Sequence, residues 1–369
     1  MSDWTIGASL TASEAEGVAP SAEWSRWVDR DRAPKSGDGS GFRQTWRDDL
    51  AQLGKLGVGE LATTLEWARL WPTPDNPDKE EVEFRRHVLA EVSSLGMKPW
   101  VYLVDGSLPG WFAEDEGGFT DDHARNLIWP RHIDWIGETF GDLVAGWVPQ
   151  REPIQWAMWG HLLAAAPPGK QRRRDALRAT RSALEADLVA WNLLKGSAPV
   201  AVHHTARTFH AEPDNVKAGP HSSWVDDTFH SQWLDWISEG KARDSFDRTI
   251  LQIRGPISVD GEGGWSPHSS ERTVETAMDS LLRTLDNTGD RAVFVAGDLA
   301  DVADDGTAQQ HHLSSMIDAA RSAGTAGWWQ TSPIDGWHWL GGFDVRPGVI
   351  DRDRGERATA DLLRKASST

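Results

Sequence analysis

Eight short apolar runs in this 369-residue chain are each followed by groups that can move a proton or hold a charge. Glu14 and Glu16 follow the first, Glu66 and Arg69 the second, Asp105 the third, and Arg151 and Glu152 the fourth. The fifth ends in His203 and His204, the sixth in Gln252 and Arg254, and the seventh in Asp298. Asp335 and His338 follow the eighth. Carboxyl and imidazole groups do acid/base work when burial or a neighbouring charge tunes their pKa. Arginine holds carboxylate or phosphate groups of a ligand. One such residue at one strand end is an ordinary surface group. One at nearly every end implies a shared rim.

The runs are 4–8, 60–64, 98–103, 145–149, 199–204, 249–253, 292–296 and 327–331. Both faces of each are apolar or small, which predicts buried parallel strands. The stretches between carry helical spacing, as in Trp46, Leu50, Leu53 and Leu56, or Ala277, Leu281, Leu282 and Leu285. This α/β pattern has the count of a (β/α)8 TIM barrel, a single domain over residues 1–369, with its chemistry at the C-terminal strand ends. A doubly wound sheet needs a glycine-rich phosphate turn after its first strand. Ile6-Gly7-Ala8-Ser9-Leu10 lacks one. Residues 33–41 and 258–270 read as loops. Arg172-Arg173-Arg174 and His311-His312 read as solvated helix starts.

Composition narrows the function. The chain has no cysteine, so thiolate chemistry and Cys-ligated metals are excluded. A net charge of −18 argues against nucleic acid and anionic membrane as partners. No apolar stretch reaches the length of a spanning helix. The start lacks a signal-peptide pattern, so the expected location is cytoplasmic. His203, His204, Asp105 and Glu14 could ligate a divalent ion, but their spacing matches no metal motif, so no metal or cofactor is expected. The partner expected is a small molecule. The 22 Trp among the aromatic residues suit a sugar or aromatic ligand, or a Trp-rich core.

Several ordered segments resemble family 1 glycoside hydrolases, the retaining β-glycosidases. Ile6-Gly7-Ala8 through Ala15-Glu16-Gly17 is similar to their opening segment. Asp49-Leu50 through Leu56-Gly57-Val58, followed by Leu65-Glu66-Trp67-Ala68-Arg69-Leu70-Trp71-Pro72, is similar to the second-strand signature. Ser107-Leu108-Pro109-Gly110-Trp111 resembles the third-strand loop. Trp147-Val148-Pro149-Gln150-Arg151-Glu152-Pro153 resembles the motif that carries the acid/base, and Ser332-Pro333-Ile334-Asp335-Gly336-Trp337-His338-Trp339 the late sugar-binding segment.

The resemblance implies a (β/α)8 barrel and an acid/base at Glu152. Retaining hydrolysis needs a second carboxylate about 5–5.5 Å away as nucleophile. That position falls on Ala296, which cannot attack. The partner residues depart as well. The resemblance places Arg151 where the family has Asn, Ala62 where it has Arg, and Ile253 where it has Tyr. Glu14, Asp105 and His338 stand for Gln, His and Glu. The only Tyr is Tyr102. At Glu14, Asp105, Arg151 and His338 the replacements are other functional groups rather than bland ones, which predicts a repurposed pseudoglycosidase-like enzyme. Glu152 then does acid/base chemistry near neutral pH on a small polar, sugar-like or natural-product metabolite, without a covalent glycosyl–enzyme intermediate. Asp298, two residues past Ala296, is the second catalytic candidate. Glu14, Asp105, Arg151, Gln252, Arg254, Asp335, Trp337, His338 and Trp339 are the expected substrate-binding residues. Two alternatives stay open: a β-glycoside hydrolase in which Asp298 or water replaces the nucleophile, and an inactive glycoside-binding protein.

Overall fold

In the computed structural model, residues 4–265, 272–285, 288–300, 302 and 306–368 are described. The strands are β1 (Thr5–Leu10), β2 (Glu60–Thr64), β3 (Lys98–Val104), β4 (Gly146–Gln150), β5 (Ala201–Ala206), β6 (Phe209–Ala211), β7 (Arg248–Ile253), β8 (Ile257–Val259), β9 (Ala292–Gly297) and β10 (Gly327–Thr331). Eight of them form one parallel sheet in the order β4-β3-β2-β1-β10-β9-β7-β5. The edges meet where Trp147 bridges Val200 and its N–H donates to the Pro199 carbonyl at 2.9 Å. This is the (β/α)8 barrel the strand pattern predicts. The expected loop at 258–270 instead begins inside β8, which pairs in parallel with β6 outside the barrel. Residues 266–270 of it lie outside the described residues.

Helices pack on the barrel through the predicted apolar stripes. The helix Phe42–Lys55 buries Trp46, Leu50 and Leu53. The helix Val274–Leu285 buries Ala277 and Leu281, but Leu282 is 48% exposed. At 100° per residue a neighbour of Leu281 leaves the core face. Arg172 precedes the helix Arg173–Leu194, and the three arginines are exposed as expected. The carboxylates of Glu16 and Glu66 serve structure. Glu16 accepts from buried Arg85 at 2.6 and 2.9 Å and from Arg43 at 2.8 Å, and Glu66 accepts from Arg69 at 2.6 Å.

The barrel interior is filled by side chains from alternate strand positions, as the period of two requires. Ala62, Trp100, Tyr102, Phe294, Ala296 and Trp329 belong to one buried apolar cluster. Arg248 closes its lower end, paired with Glu60 at 2.7 Å and lying over the Trp100 and Phe294 rings. Ala296 faces Gln252 and Trp329 in register and has no exposed surface. An added carboxylate there would be desolvated against aromatic rings. Ala296→Glu is therefore expected to cost roughly 3 kcal/mol or more of stability, and Ala296→Ser far less. Urea unfolding of the two variants checks this.

Candidate active site

Above the apolar layer, the strand ends bring Glu14, Asp105, Arg151, Glu152, Arg254 and Asp298 into one buried charged cluster. Asp298 lies two residues beyond Ala296, and Arg254 two beyond Gln252. Alternation keeps each pair on the same side, about 6–7 Å nearer the mouth. The centre is the Arg254 guanidinium. Its Nε donates to Glu152 Oε1 at 3.0 Å and its Nη2 to Glu152 Oε2 at 2.7 Å. Its Nη1 donates to Asp298 Oδ2 at 2.8 Å. One cation thus joins the ends of β4 and β9.

Glu152 sits at a left-handed backbone position, φ 50°, between β4 and the helix Pro153–His161. Its Oε1 also accepts from the Thr205 hydroxyl at 3.0 Å and from Gln155 Nε2 at 3.2 Å. Its backbone N–H donates to His203 Nδ1 at 3.3 Å. Burial opposes the Glu152 charge, but Arg254 and then Arg151 outweigh it, so the carboxyl is held well below its usual range. The near-neutral acid expected from burial and Arg151 is corrected here: the bidentate partner is Arg254. Asp298 follows the same balance. Burial is outweighed by Arg254 and Arg272, and its pKa is lowered.

Glu14 behaves oppositely. It lies on the short helix Ala12–Glu16 after β1 and is buried. Burial, only partly offset by Arg151, raises its pKa to about 7. The Ser332 hydroxyl donates to its Oε2 at 2.7 Å. Two loops fix its backbone: Ser40 N–H and Trp337 N–H both donate to the Glu14 carbonyl at 3.1 Å. Gly39 and Gly336 make that approach possible, because a Cβ would fall 2.5 and 2.2 Å from the same carbonyl oxygen. Asp105 accepts from Arg151 Nη1 at 3.1 Å, yet burial outweighs this pairing and its pKa is raised.

Other expected residues are placed differently. Asp335 is clasped by Arg357 and by the Gly348 N–H at 2.8 Å, tying a loop rather than facing the cluster. Trp337 has no exposed surface and Trp339 is 4% exposed; both rings pack with Trp24 and Trp27. They are packing, not an open sugar platform. Gln252 faces the interior and donates to Thr331 at 3.3 Å. His338 is half-buried, close enough to Asp298 to lower its pKa. Ile253 packs in the outer apolar cluster, so the residues of β7 facing Ala296 are its neighbours. His203 and His204 split by strand alternation: His203 meets Glu152, while His204 stacks on Trp233 at 4.2 Å and bonds His230. The two imidazoles therefore cannot share one ion. His312 is 4% exposed rather than solvated, its pKa pushed down to about 3 by burial and Arg272.

The sequence reading misses Thr205 and Arg272. Thr205 stands two residues past His203, which alternation places on the same face. Arg272, 2% exposed, donates to the Ile253 carbonyl at 2.6 Å and contacts Asp298. It lies outside any helix or strand, where no periodicity marks it.

The profile of Glycosyl hydrolase family 1 matches residues 17–263. Beta-glucosidase 17 of Arabidopsis thaliana is 25% identical over 182 residues, 46% of this chain and 35% of that enzyme. Beta-glucosidase A of Thermotoga maritima is 24% identical over 50% of this chain and 42% of its own length. The chain thus matches less than half the length of these two curated relatives. Aryl-phospho-beta-D-glucosidase BglC of Bacillus subtilis is 21% identical over 86% of this chain and 83% of its own. Among solved structures, the beta-glycosidase from Pyrococcus horikoshii superposes with a TM-score of 0.84 at 19% identity, covering 99% of this chain and 93% of that one. With the profile spanning well over half of a chain folded as this barrel, the protein belongs to glycosyl hydrolase family 1.

Proposed function

We propose that this chain is an acid/base enzyme on a family 1 scaffold that acts on a small sugar-like metabolite without forming a covalent glycosyl–enzyme intermediate. The observation that carries this reading is the Arg254 guanidinium between Glu152 and Asp298, above an apolar layer that contains Ala296. Retaining hydrolysis requires a protonated acid at the glycosidic oxygen and a free carboxylate nucleophile at the anomeric carbon. Here both carboxylates are held ionised by one cation. Glu14 supports a different division of labour. Environments that push carboxyl pKa values apart separate base from acid. Glu14, with its pKa near 7, gives or takes the proton, while the Glu152 carboxylate, held ionised, stabilises positive charge that develops beside it. Asp105, Arg151 and Gln252 stand beside them to hold polar groups of the substrate. That two relatives are β-glucosidases supports the sugar-like class.

Proton abstraction from a C–H group exchanges that proton with solvent. A panel of aldoses, ketoses and uronic acids in D2O, followed by proton NMR, is expected to show deuterium incorporation or product in at least one case. Glu152→Gln is expected to reduce that rate by about 10²-fold or more. A covalent mass adduct with an activated 2-fluoro-β-glucoside would overturn the reading. So would an exchange rate unchanged in Glu152→Gln. Absence of exchange and turnover across the panel, with saturable sugar binding, would instead identify a binding protein.

A second reading, β-glycoside hydrolysis with Asp298 activating water, rests on the position of Asp298 two residues above Ala296 on the same side. It predicts release of nitrophenol from aryl β-glucosides with inversion, lost in Asp298→Asn.

The titration of Glu14 also has a stability signature. Its folded pKa is raised from 4.5 to about 7, so the protonated folded state is favoured. The associated stability is full below pH 4.5 and is lost as pH rises through 7. At about 1.4 kcal/mol per pKa unit this is on the order of 3 kcal/mol. Glu23, raised to about 8 by burial, adds a similar trend. The measurement is therefore the difference between wild type and Glu14→Gln. Wild type is expected to lose more Tm than Glu14→Gln between pH 4.5 and 7.5, and parallel curves would contradict the assignment.

A further inference from the structure

A cavity of about 580 Å³ opens beside the charged cluster and shares only Arg151 with it. Its volume falls in the range of small-molecule sites. It lies between the segment that carries Trp27 and Arg32, the loop that carries Phe119, and the turn at Pro167 and Pro168.

The charge of its wall is opposite to that of the molecule. The chain as a whole carries −18. The cavity is lined by Arg26, Arg30, Arg32, Arg151 and Lys170 against two carboxyls, Glu23 and Glu114. Local pairing removes some of this charge. Arg26 pairs with Glu114, and Arg151 with Asp105. Glu23 is buried and accepts from the Leu108 N–H at 2.7 Å, with a pKa raised to about 8, so it adds little negative charge at neutral pH. Among the described residues, no carboxylate pairs with Arg30, Arg32 or Lys170. The Arg32 guanidinium instead lies 3.8 Å over the Trp27 ring and close to the turn before Lys170. Flat apolar surface comes from the partly exposed Trp156 and Phe119, since Arg32 covers the Trp27 ring. A concave site with aromatic walls and unneutralised cations at its rim selects a ligand that is both planar and anionic.

We infer that this cavity binds a small organic anion bearing an aromatic ring, with Arg30, Arg32 and Lys170 holding the anionic group and Trp156 and Phe119 the ring. The site adjoins the proposed acid/base centre at Arg151, and the inference does not depend on that chemistry. Because Arg151 lies in both, occupancy reaches the Asp105 and Glu152 network.

The probe pair is 2-naphthoate and its neutral amide, titrated into the full chain by calorimetry. Naphthoate is expected to bind saturably, at least about tenfold more tightly than the amide, and more weakly as salt rises. The exposed triple variant Arg30→Gln, Arg32→Gln, Lys170→Gln is expected to lose about tenfold in naphthoate affinity with unchanged Tm. Ala113→Trp, which fills the cavity from its rim, is expected to abolish binding of both probes. Equal affinity for acid and amide, unaltered binding in the triple variant, or no saturable naphthoate binding would each overturn the inference.

Discussion

Two carboxylates and one guanidinium occupy the centre of this barrel mouth, and the surrounding structure depends on their balance. A buried carboxylate is costly unless paired and hydrogen-bonded. Glu152 and Asp298 approach from β4 and β9, and each is stabilised because Arg254 lies between them. Removing Arg254 would leave two like charges buried together. The same interaction helps hold Glu152 in a left-handed backbone position, which costs a non-glycine residue on the order of 1–3 kcal/mol. Thr205, Gln155 and His203 complete that anchorage.

The barrel is stratified along its axis. Aromatic rings and alanines fill the interior as far as Ala62 and Ala296, and the charged layer begins one inward-facing position higher. This places Asp298 and Arg254 one residue past the ends of β9 and β7, still on the inward side that alternation sets. A carboxylate at residue 296 would have to share the apolar layer. The height at which packing gives way to charge therefore decides which residues can meet a ligand.

Electrostatics divides the carboxyls of this mouth into two kinds. Glu152 and Asp298 share Arg254, each with a second arginine nearby, and stay ionised, while at Glu14 and Asp105 burial outweighs Arg151 and pushes the pKa up. Arg151 stands among them, paired with Asp105 but not with Glu14. A site that holds both kinds side by side keeps a fixed negative charge next to a carboxyl that exchanges its proton at the same pH.

The eight strands, their order of polar rim residues and the family likeness were legible in the chain, because buried parallel strands are continuous apolar runs and alternation is strict. The same alternation makes the separate fates of His203 and His204 readable. It also shows why Ile253 cannot face Ala296. The pairing of the charges was not legible. Arg151 was the evident partner for Glu152 by adjacency, yet Arg254, 102 residues away, is closer. Trp337 and Trp339 gave no sign of being enclosed by Trp24 and Trp27. Nor did His312 of being buried beside Arg272. Sequence periodicity specifies which way a side chain points from its own strand or helix. Which charge it meets is set by the closure of the barrel, and the sign and size of a buried carboxyl's pKa shift follow from that meeting.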